Sequence, residues 1–229
     1  MAQGNASRLY LAAVFCLGAA SLAGCSADEP APEPTSASQV NVSADQLQKI
    51  LEDFSQEDAS AKVISDKKLR STIPKAQEWL ENAKVNPSKC GVTFAEPVAD
   101  QLQNSTMGAV ESQNNYITVA IYKDSQLLDK QWDAKASAND QCSRYSVTTG
   151  NESRAYHLAK QPMDSVADKN ESYVVTSSDG KTTQQQLVTR SASSNVLVSV
   201  QGTTSNGQTQ EQVKEATAKI DELFNKLNG

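Results

Sequence analysis

The side chains in this sequence that could carry catalytic chemistry are one histidine and three adjacent pairs of acids. His157 is the only histidine among 229 residues, and a nucleophilic triad needs such a base held beside a nucleophile. His157 alternates with Tyr156 and Leu158 in a predicted strand, so we expect it to face solvent or a sheet edge. The sequence also lacks a Gly-x-Ser-x-Gly turn, a phosphate-binding glycine loop and a Cys-x-x-Cys pair. Hydrolysis through a histidine is therefore not expected.

Paired carboxylates could hydrolyse a glycosidic bond without histidine. From residue 42 onwards, adjacent acids occur as Glu52-Asp53, Glu57-Asp58 and Asp221-Glu222. All three pairs fall at polar positions in or beside predicted helices, where a solvated helix face is the usual explanation. We therefore expect a protein that is not an enzyme and that needs no cofactor or metal, with a carboxylate-based enzyme left open.

The start of the chain is an apolar segment that ends at a cysteine. Arg8 precedes it, and residues 9–20 are mostly Leu, Ala, Val, Phe, Gly and Tyr. This layout is typical of a secretory signal and is too short for a stable membrane span. The ending Leu22-Ala23-Gly24-Cys25 resembles the lipobox of bacterial lipoproteins. The resemblance implies cleavage before Cys25, a thioether lipid on Cys25 and N-acylation with a chain such as palmitate. An ordinary cleaved signal with a coincidental cysteine is the alternative.

These observations divide the chain into three parts. Residues 1–24 are predicted to be the lipoprotein signal peptide, and residues 25–41 the lipidated cysteine with a disordered tether rich in Pro, Ser and Ala. Residues 42–229 are predicted to form a single domain. The net charge of −6 and the absence of a basic stripe argue against nucleic-acid binding. We expect the protein to contact the membrane through its lipid anchor alone, on the extracytoplasmic face of the cell membrane.

Two cysteines remain for the folded domain. Cys16 would leave with the signal and Cys25 would carry the lipid, which leaves Cys90 and Cys142. In an oxidising compartment a disulfide is the expected state of such a pair. A metal site is the alternative, but a single histidine leaves it short of ligands.

Hydrophobic periodicity predicts helices at both ends of the domain and a sheet between them. Ser43 and Gln46 form a capping box for a first amphipathic helix. A second helix is predicted over residues 59–69, and a third from Ser71 or Thr72 to Asn86-Pro87, with Trp79 and Leu80 facing inward. A fourth carries Trp132 and ends near Asn139, and the last begins at Thr209. Alternation predicts strands at 107–111, 116–122, 142–147, 154–158, 173–176, 183–190 and 195–200.

Ligand-binding residues are weakly indicated. Trp132 and Tyr122 are the candidates, and Trp79 could also stack on a sugar or another planar ligand. Both tryptophans lie on the apolar side of predicted helices, which favours core packing. The run Gln184-Gln185-Gln186 could offer a hydrogen-bonding strand face, although a solvent-facing or edge strand explains it more simply.

The predicted elements give an α+β fold: a mostly antiparallel sheet with N-terminal helices, one interrupting helix and a C-terminal helix. Their order after Asn86 resembles the extracytoplasmic sensor domain of PknH-type actinobacterial receptor kinases and related lipoproteins. The residues that carry the resemblance are Pro87-x-x-Cys90, the strand at 117–122, the helix with Trp132, and Cys142 at the start of the next strand. The resemblance implies an antiparallel sheet with flanking helices and a cleft for an unidentified ligand.

The sequence therefore predicts a membrane-anchored lipoprotein that displays a non-enzymatic, sensor-like domain. The domain would bind a ligand or protein partner of the cell envelope outside the cytoplasmic membrane. The alternative is a carrier that moves lipid or glycolipid through the envelope, which would require an apolar cavity large enough for acyl chains.

Overall fold

A computed structural model describes residues 39–90, 105–205 and 207–228. The helices of this part are α1 (Ala44–Phe54), α2 (Asp66–Arg70), α3 (Ile73–Asn82), α4 (Ser125–Gln141) and α5 (Thr209–Asn228). The strands are β1 (Lys62–Ile64), β2 (Ala83–Asn86), β3 (Ser105–Glu111), β4 (Asn115–Tyr122), β5 (Arg144–Thr149), β6 (Glu152–Gln161), β7 (Lys169–Ser178), β8 (Thr183–Ser193) and β9 (Val196–Thr203). The α+β class expected from the sequence is confirmed.

The strands form one nine-stranded sheet in the order β1-β3-β4-β9-β8-β7-β6-β5-β2. Every neighbouring pair is antiparallel. The five strands β5 to β9 are consecutive in the chain and form a meander. Strand β9 also pairs with β4, which places the β3–β4 hairpin beside this meander. Hairpin turns join β3 to β4 at Gln113-Asn114 and β7 to β8 at Asp179-Gly180, where Gly180 has φ = 84°.

One face of the sheet, which we call the α5 face, is covered by α1 and α5. Ile117, Val119 and Ile121 of β4 point to this face, as their alternation predicts, and are at most 4% exposed. They join one hydrophobic core with residues from both helices, including Leu47, Leu51, Ile220, Leu223 and Phe224. At about 25 cal/mol per Å² of apolar area, this burial is the main source of the domain's stability.

The opposite face, which we call the α4 face, carries a second core. Leu128 and Trp132 of α4 pack here against Tyr122 and Ala120 of β4, together with Leu197 of β9. The two faces of β4 therefore bury different residues against different helices, as its alternating pattern predicts.

The helices are unevenly distributed over the sheet. Helices α1 and α2 contact β3, α4 contacts β4 and β9, and α5 contacts β8 and β9. The other half of the sheet, formed by β7, β6, β5 and β2, presents several exposed positions on the α5 face. In the described part of the chain, this half, which we call the open half, has side chains on the α5 face that a ligand could reach.

The predicted helix over residues 59–69 is wrong. Residues 62–64 form the edge strand β1, in which Val63 pairs with Val110. Ser65 then caps the short helix α2 by accepting a hydrogen bond from the Lys68 amide at 3.4 Å. The β-branched residues at 63 and 64 favour a strand, and pairing with the distant strand β3 decides the outcome.

The predicted end of the third helix is also wrong. Helix α3 ends at Asn82, and residues 83–86 form the edge strand β2, in which Val85 pairs with Val147 of β5. Trp79 is half-buried rather than fully inward, and the Leu80 side chain lies outside the described residues. Pairing with β5 replaces the last helical turn that the local pattern suggests.

The expected disulfide is confirmed between Cys90 and Cys142, whose Cα atoms are 5.7 Å apart. It joins the end of a 3-10 turn after β2 to the start of β5, two strands that are already neighbours. The bridge therefore fastens the open half of the sheet at its edge.

Candidate functional site

Trp132 and Tyr122, the two candidates from the sequence, lie in the core of the α4 face. Trp132 is 7% exposed and Tyr122 is 1% exposed. The Arg190 guanidinium lies 4.4 Å from the centroid of the Trp132 ring, a cation–π contact. Burial raises the pKa of the Tyr122 hydroxyl. Both aromatic residues are therefore packing residues here, which is the reading that their helix and strand patterns favour.

Arg190 is held from a second side by Glu171 of the neighbouring strand. Its Nε donates to a Glu171 carboxylate oxygen, and both side chains are largely buried. The charges of the pair balance each other inside the α4 face, and removal of either partner would leave the other charge buried without compensation.

His157 lies exposed on β6, as its alternation predicts. It is in register with Arg144 on one side and Thr176 on the other. Within the described residues it makes no hydrogen bond that would orient it as a base, so its position is that of a surface residue.

The acidic pairs have separate surroundings. Glu52, Asp53, Glu57 and Asp58 are exposed, and the Ser60 hydroxyl and amide, which donate to Asp58, lower the pKa of its carboxyl. Asp221 accepts from the Ser165 hydroxyl at 2.5 Å and from the Val166 amide at 3.2 Å. Asp221 therefore fixes the β6–β7 loop, and no metal-binding cluster of His, Cys, Asp or Glu occurs among the described residues.

The open half of the sheet carries a shallow concavity of about 530 Å³. Two neighbouring rows of the register form it on the α5 face: Arg144 with His157 and Thr176, and Asn86 with Ser146, Ala155 and Ser178. We call this surface the sheet-face site. Its lining combines small side chains and hydroxyls with a guanidinium, an imidazole and an amide.

Two arginines on opposite faces of this half of the sheet differ in whether they form an ion pair. Arg154, on the α4 face of β6, forms an ion pair with Asp179 at 3.2 Å. Arg144, on the α5 face of β5, is exposed and has no carboxylate partner among the described residues. Tyr145 and Tyr156 stack at 5.1 Å beneath it on the α4 face, which gives the sheet-face site a rigid support.

The glutamine run lies next to this site. Strand β8 is an interior strand rather than an edge strand, but Gln184 is exposed and Gln185 and Gln186 are half-buried, which agrees with the solvent-facing alternative. Gln185 reaches Thr176 across the β7–β8 pair, with Nε2 3.5 Å from the hydroxyl. The sequence predicts that this strand carries polar side chains. It does not predict that the neighbouring part of the sheet has an exposed face.

No family model and no curated protein matches this chain. Among solved structures it is similar to the extracellular domain of PknH from Mycobacterium tuberculosis, at 15% identity and a TM-score of 0.45, over 64% of this chain and 77% of that one. It is also similar to an uncharacterized protein from Mycobacterium smegmatis, the Rv0999 ortholog, at 12% identity and a TM-score of 0.44, over 80% and 97%. The extracellular domain of PknH, which the sequence resembles, is thus among the structures that the chain matches.

The membrane anchor expected at Cys25 lies outside the described residues, as do the signal and most of the tether. None of the described helices has the length and apolar character needed to cross a membrane.

Proposed function

We propose that this protein is a lipid-anchored, non-enzymatic domain that binds an anionic, hydroxyl-rich polymer of the cell envelope outside the cytoplasmic membrane. The observation that carries the proposal is that Arg144 is exposed on this sheet face and has no carboxylate partner in the described part of the chain. Guanidinium groups are well suited to carboxylate and phosphate, with which they form charge-assisted hydrogen bonds.

The shape of the sheet-face site supports a polymer rather than a compact small molecule. The concavity is open and follows the width of β2, β5, β6 and β7. Its hydroxyls and the Asn86 amide both donate and accept hydrogen bonds, as the hydroxyls of a glycan do. An open surface of this kind does not favour the lipid-carrier alternative, which needs an enclosed apolar cavity.

Membrane anchoring through Cys25 and an extracytoplasmic location are part of the proposal. Their support is the lipobox-like ending Leu22–Cys25 behind a signal-like apolar segment, and a Cys90–Cys142 disulfide typical of an oxidising compartment.

The test uses the full-length protein in nanodiscs of phosphatidylcholine, a lipid without net charge. Oligogalacturonate is the anionic probe, and the same oligomer with reduced carboxyl groups is the neutral one. We expect wild-type protein to bind the anionic oligomer, more weakly as salt increases. Arg144→Gln should raise the Kd about tenfold, the size expected for one charge-assisted hydrogen bond.

Arg154→Gln is the matched control, because it removes the same charge from the opposite face of the same sheet half. Its Kd should stay within about twofold of wild type. Equal affinity for the charged and neutral oligomers, or an unchanged Kd for Arg144→Gln, would refute the sheet-face site. Cleavage of the oligomer during incubation would refute a non-enzymatic role.

A further inference from the structure

We propose that a second cavity, beside the sheet-face site, binds a neutral N-acetylated sugar. It lies between the first half of α5, the ends of β8 and β9, and the β3–β4 turn, and its volume is about 430 Å³. Its polar lining includes Asn114, Asn115, Ser205, Gln208 and Gln212, and we call it the amide cavity. Its volume falls in the range of small-ligand sites.

Gln212 provides the evidence for a hydrogen-bonding ligand. Its Nε2 donates to the Thr203 carbonyl at 3.3 Å. A carbonyl can only accept, so this contact fixes which end of the amide is the oxygen. Oε1 is then left buried, without a hydrogen-bond donor among the described residues. A buried acceptor without a donor is destabilising, and an N–H or O–H group of a ligand in the cavity would satisfy it.

The floor of the amide cavity is apolar. Leu187, Val200 and Ala216 line it and are at most 5% exposed. A ligand that fits must therefore combine polar edges with an apolar face. A pyranose has this character, and an acetamido substituent adds both an N–H donor for Gln212 Oε1 and a methyl group for the floor.

The charges at the cavity favour a neutral ligand. Glu215 and Lys219 line it one helical turn apart on α5, and their opposite charges offset each other. The other polar lining residues are amides and hydroxyls, which recognise sugar hydroxyls in either direction.

The β3–β4 turn closes the end of the cavity by direct contact with β9. A Cβ atom added at Gly202 would lie 2.7 Å from Asn115 Oδ1 and 2.8 Å from the Asn114 carbonyl oxygen. Glycine at this position lets the turn approach the strand, and the two asparagines thereby become part of the wall.

The amide cavity adjoins the sheet-face site through Gln185. The Thr204 amide, which belongs to the cavity wall, donates to the Gln185 carbonyl at 3.0 Å. The Gln185 side chain reaches Thr176 of the sheet-face site. The two sites therefore lie along one face of the molecule, although the amide cavity rests on its own contacts.

Calorimetric titration of the full-length protein in nanodiscs tests the proposal with two neutral trisaccharides. Triacetylchitotriose carries acetamido groups, and cellotriose has the same β-1,4 backbone without them. We expect chitotriose to bind at least tenfold more tightly than cellotriose. Saturation-transfer NMR should show its acetamido methyl groups as the most strongly saturated protons.

Gln212→Met keeps the length of the side chain and removes the acceptor, so we expect chitotriose affinity to fall at least fivefold. Lys214→Ala, an exposed position on the same helix, is the matched control and should bind as wild type. Thermal melting of both variants verifies that they are folded. Arg144→Gln should also bind chitotriose as wild type, which separates this proposal from that of the sheet-face site.

The proposal is overturned if chitotriose does not bind at millimolar concentration, or if cellotriose binds equally well. It is also overturned if a folded Gln212→Met variant keeps wild-type affinity.

Discussion

Arg190 is a buried cation whose charge is balanced by the Glu171 carboxylate. Its side chain is 4% exposed and that of Glu171 is 13% exposed. Glu171→Gln keeps the size of the side chain but leaves the Arg190 charge without its counter-charge. We expect the free energy of unfolding to fall by about 3 kcal/mol, as for other broken buried ion pairs. Urea unfolding at neutral pH measures this value.

The exposed ion pair between Arg154 and Asp179 provides the comparison. Its side chains are 35% and 33% exposed, and such pairs contribute at most about 1 kcal/mol. Arg154→Gln should therefore have a small effect in the same urea experiment. A loss for Glu171→Gln no greater than that for Arg154→Gln would contradict the role given to the buried pair.

Asp179 makes stability depend on pH through the β7–β8 turn. Its carboxylate accepts from the Thr182 and Lys181 amides and from the Thr182 hydroxyl, which lowers its pKa from 3.8 to about 2. As the pH falls, the unfolded chain binds this proton near 3.8 and the folded chain only near 2. The stabilisation is therefore complete above about pH 4 and is lost between about pH 4 and 2.

Asp179→Asn should remove this part of the pH dependence, because an amide still accepts hydrogen bonds but does not titrate. We expect the Tm of the variant to fall less than that of wild type between pH 5 and pH 2 in differential scanning calorimetry. The other carboxyls are the same in both proteins. Parallel Tm curves would show that the turn does not hold Asp179 in its charged form.

At the scale of the elements, the Cys90–Cys142 disulfide fastens the edge of the sheet. Both cysteines are buried, and they are 52 residues apart in the chain. Loop-closure entropy predicts that losing a bridge that closes a loop of this length lowers the free energy of unfolding by about 4 kcal/mol. The double variant Cys90→Ala/Cys142→Ala should therefore unfold at a lower concentration of guanidinium chloride than wild type.

A reducing agent provides the internal reference for this prediction. It should lower the stability of wild type towards that of the double variant and leave the variant itself unchanged. A double variant as stable as oxidised wild type would contradict the role assigned to the bridge.

The sequence predicts the central strands better than the two edge strands. The strands at 107–111 and 116–122 alternate strongly and bury both faces, so their local pattern is sufficient. The edge strands β1 and β2 have three and four residues, and each exists because a distant strand, β3 or β5, pairs with it. The local sequence pattern of these two segments fits a helix nearly as well as a strand, so it does not indicate that pairing.

The same limit applies to the candidate sites. Alternation correctly places His157 on the surface, and the helical pattern around Trp132 favours core packing. That Arg144 has no carboxylate partner among the described residues depends on where the helices lie on the sheet. The amide cavity likewise depends on a helix and a turn that are far apart in sequence, so neither site follows from local spacing.

At the scale of the whole molecule, Asn195 fixes the point at which the N-terminal segment meets the domain. Its side chain is buried, accepts from the Val40 amide at 2.9 Å and donates to the Val40 carbonyl at 2.9 Å and the Tyr122 carbonyl at 2.7 Å. Asn195→Ala should lower the free energy of unfolding by about 2–3 kcal/mol. Limited proteolysis near residue 40 should also become faster.

Asn151→Ala, at an exposed turn position, is the control for this variant and should change neither stability nor proteolysis. If Asn195→Ala is cleaved near residue 40 at the wild-type rate, Asn195 does not hold the segment.

The lipid proposed on Cys25 leads to a prediction about the association of the whole protein with the membrane. Cys25→Ser should abolish incorporation of labelled palmitate and move the protein out of the membrane fraction, because the anchor depends on acyl chains. Cys16→Ser, which changes a cysteine inside the predicted signal, should keep both the label and the membrane association. Label retained in Cys25→Ser would rule out the anchor.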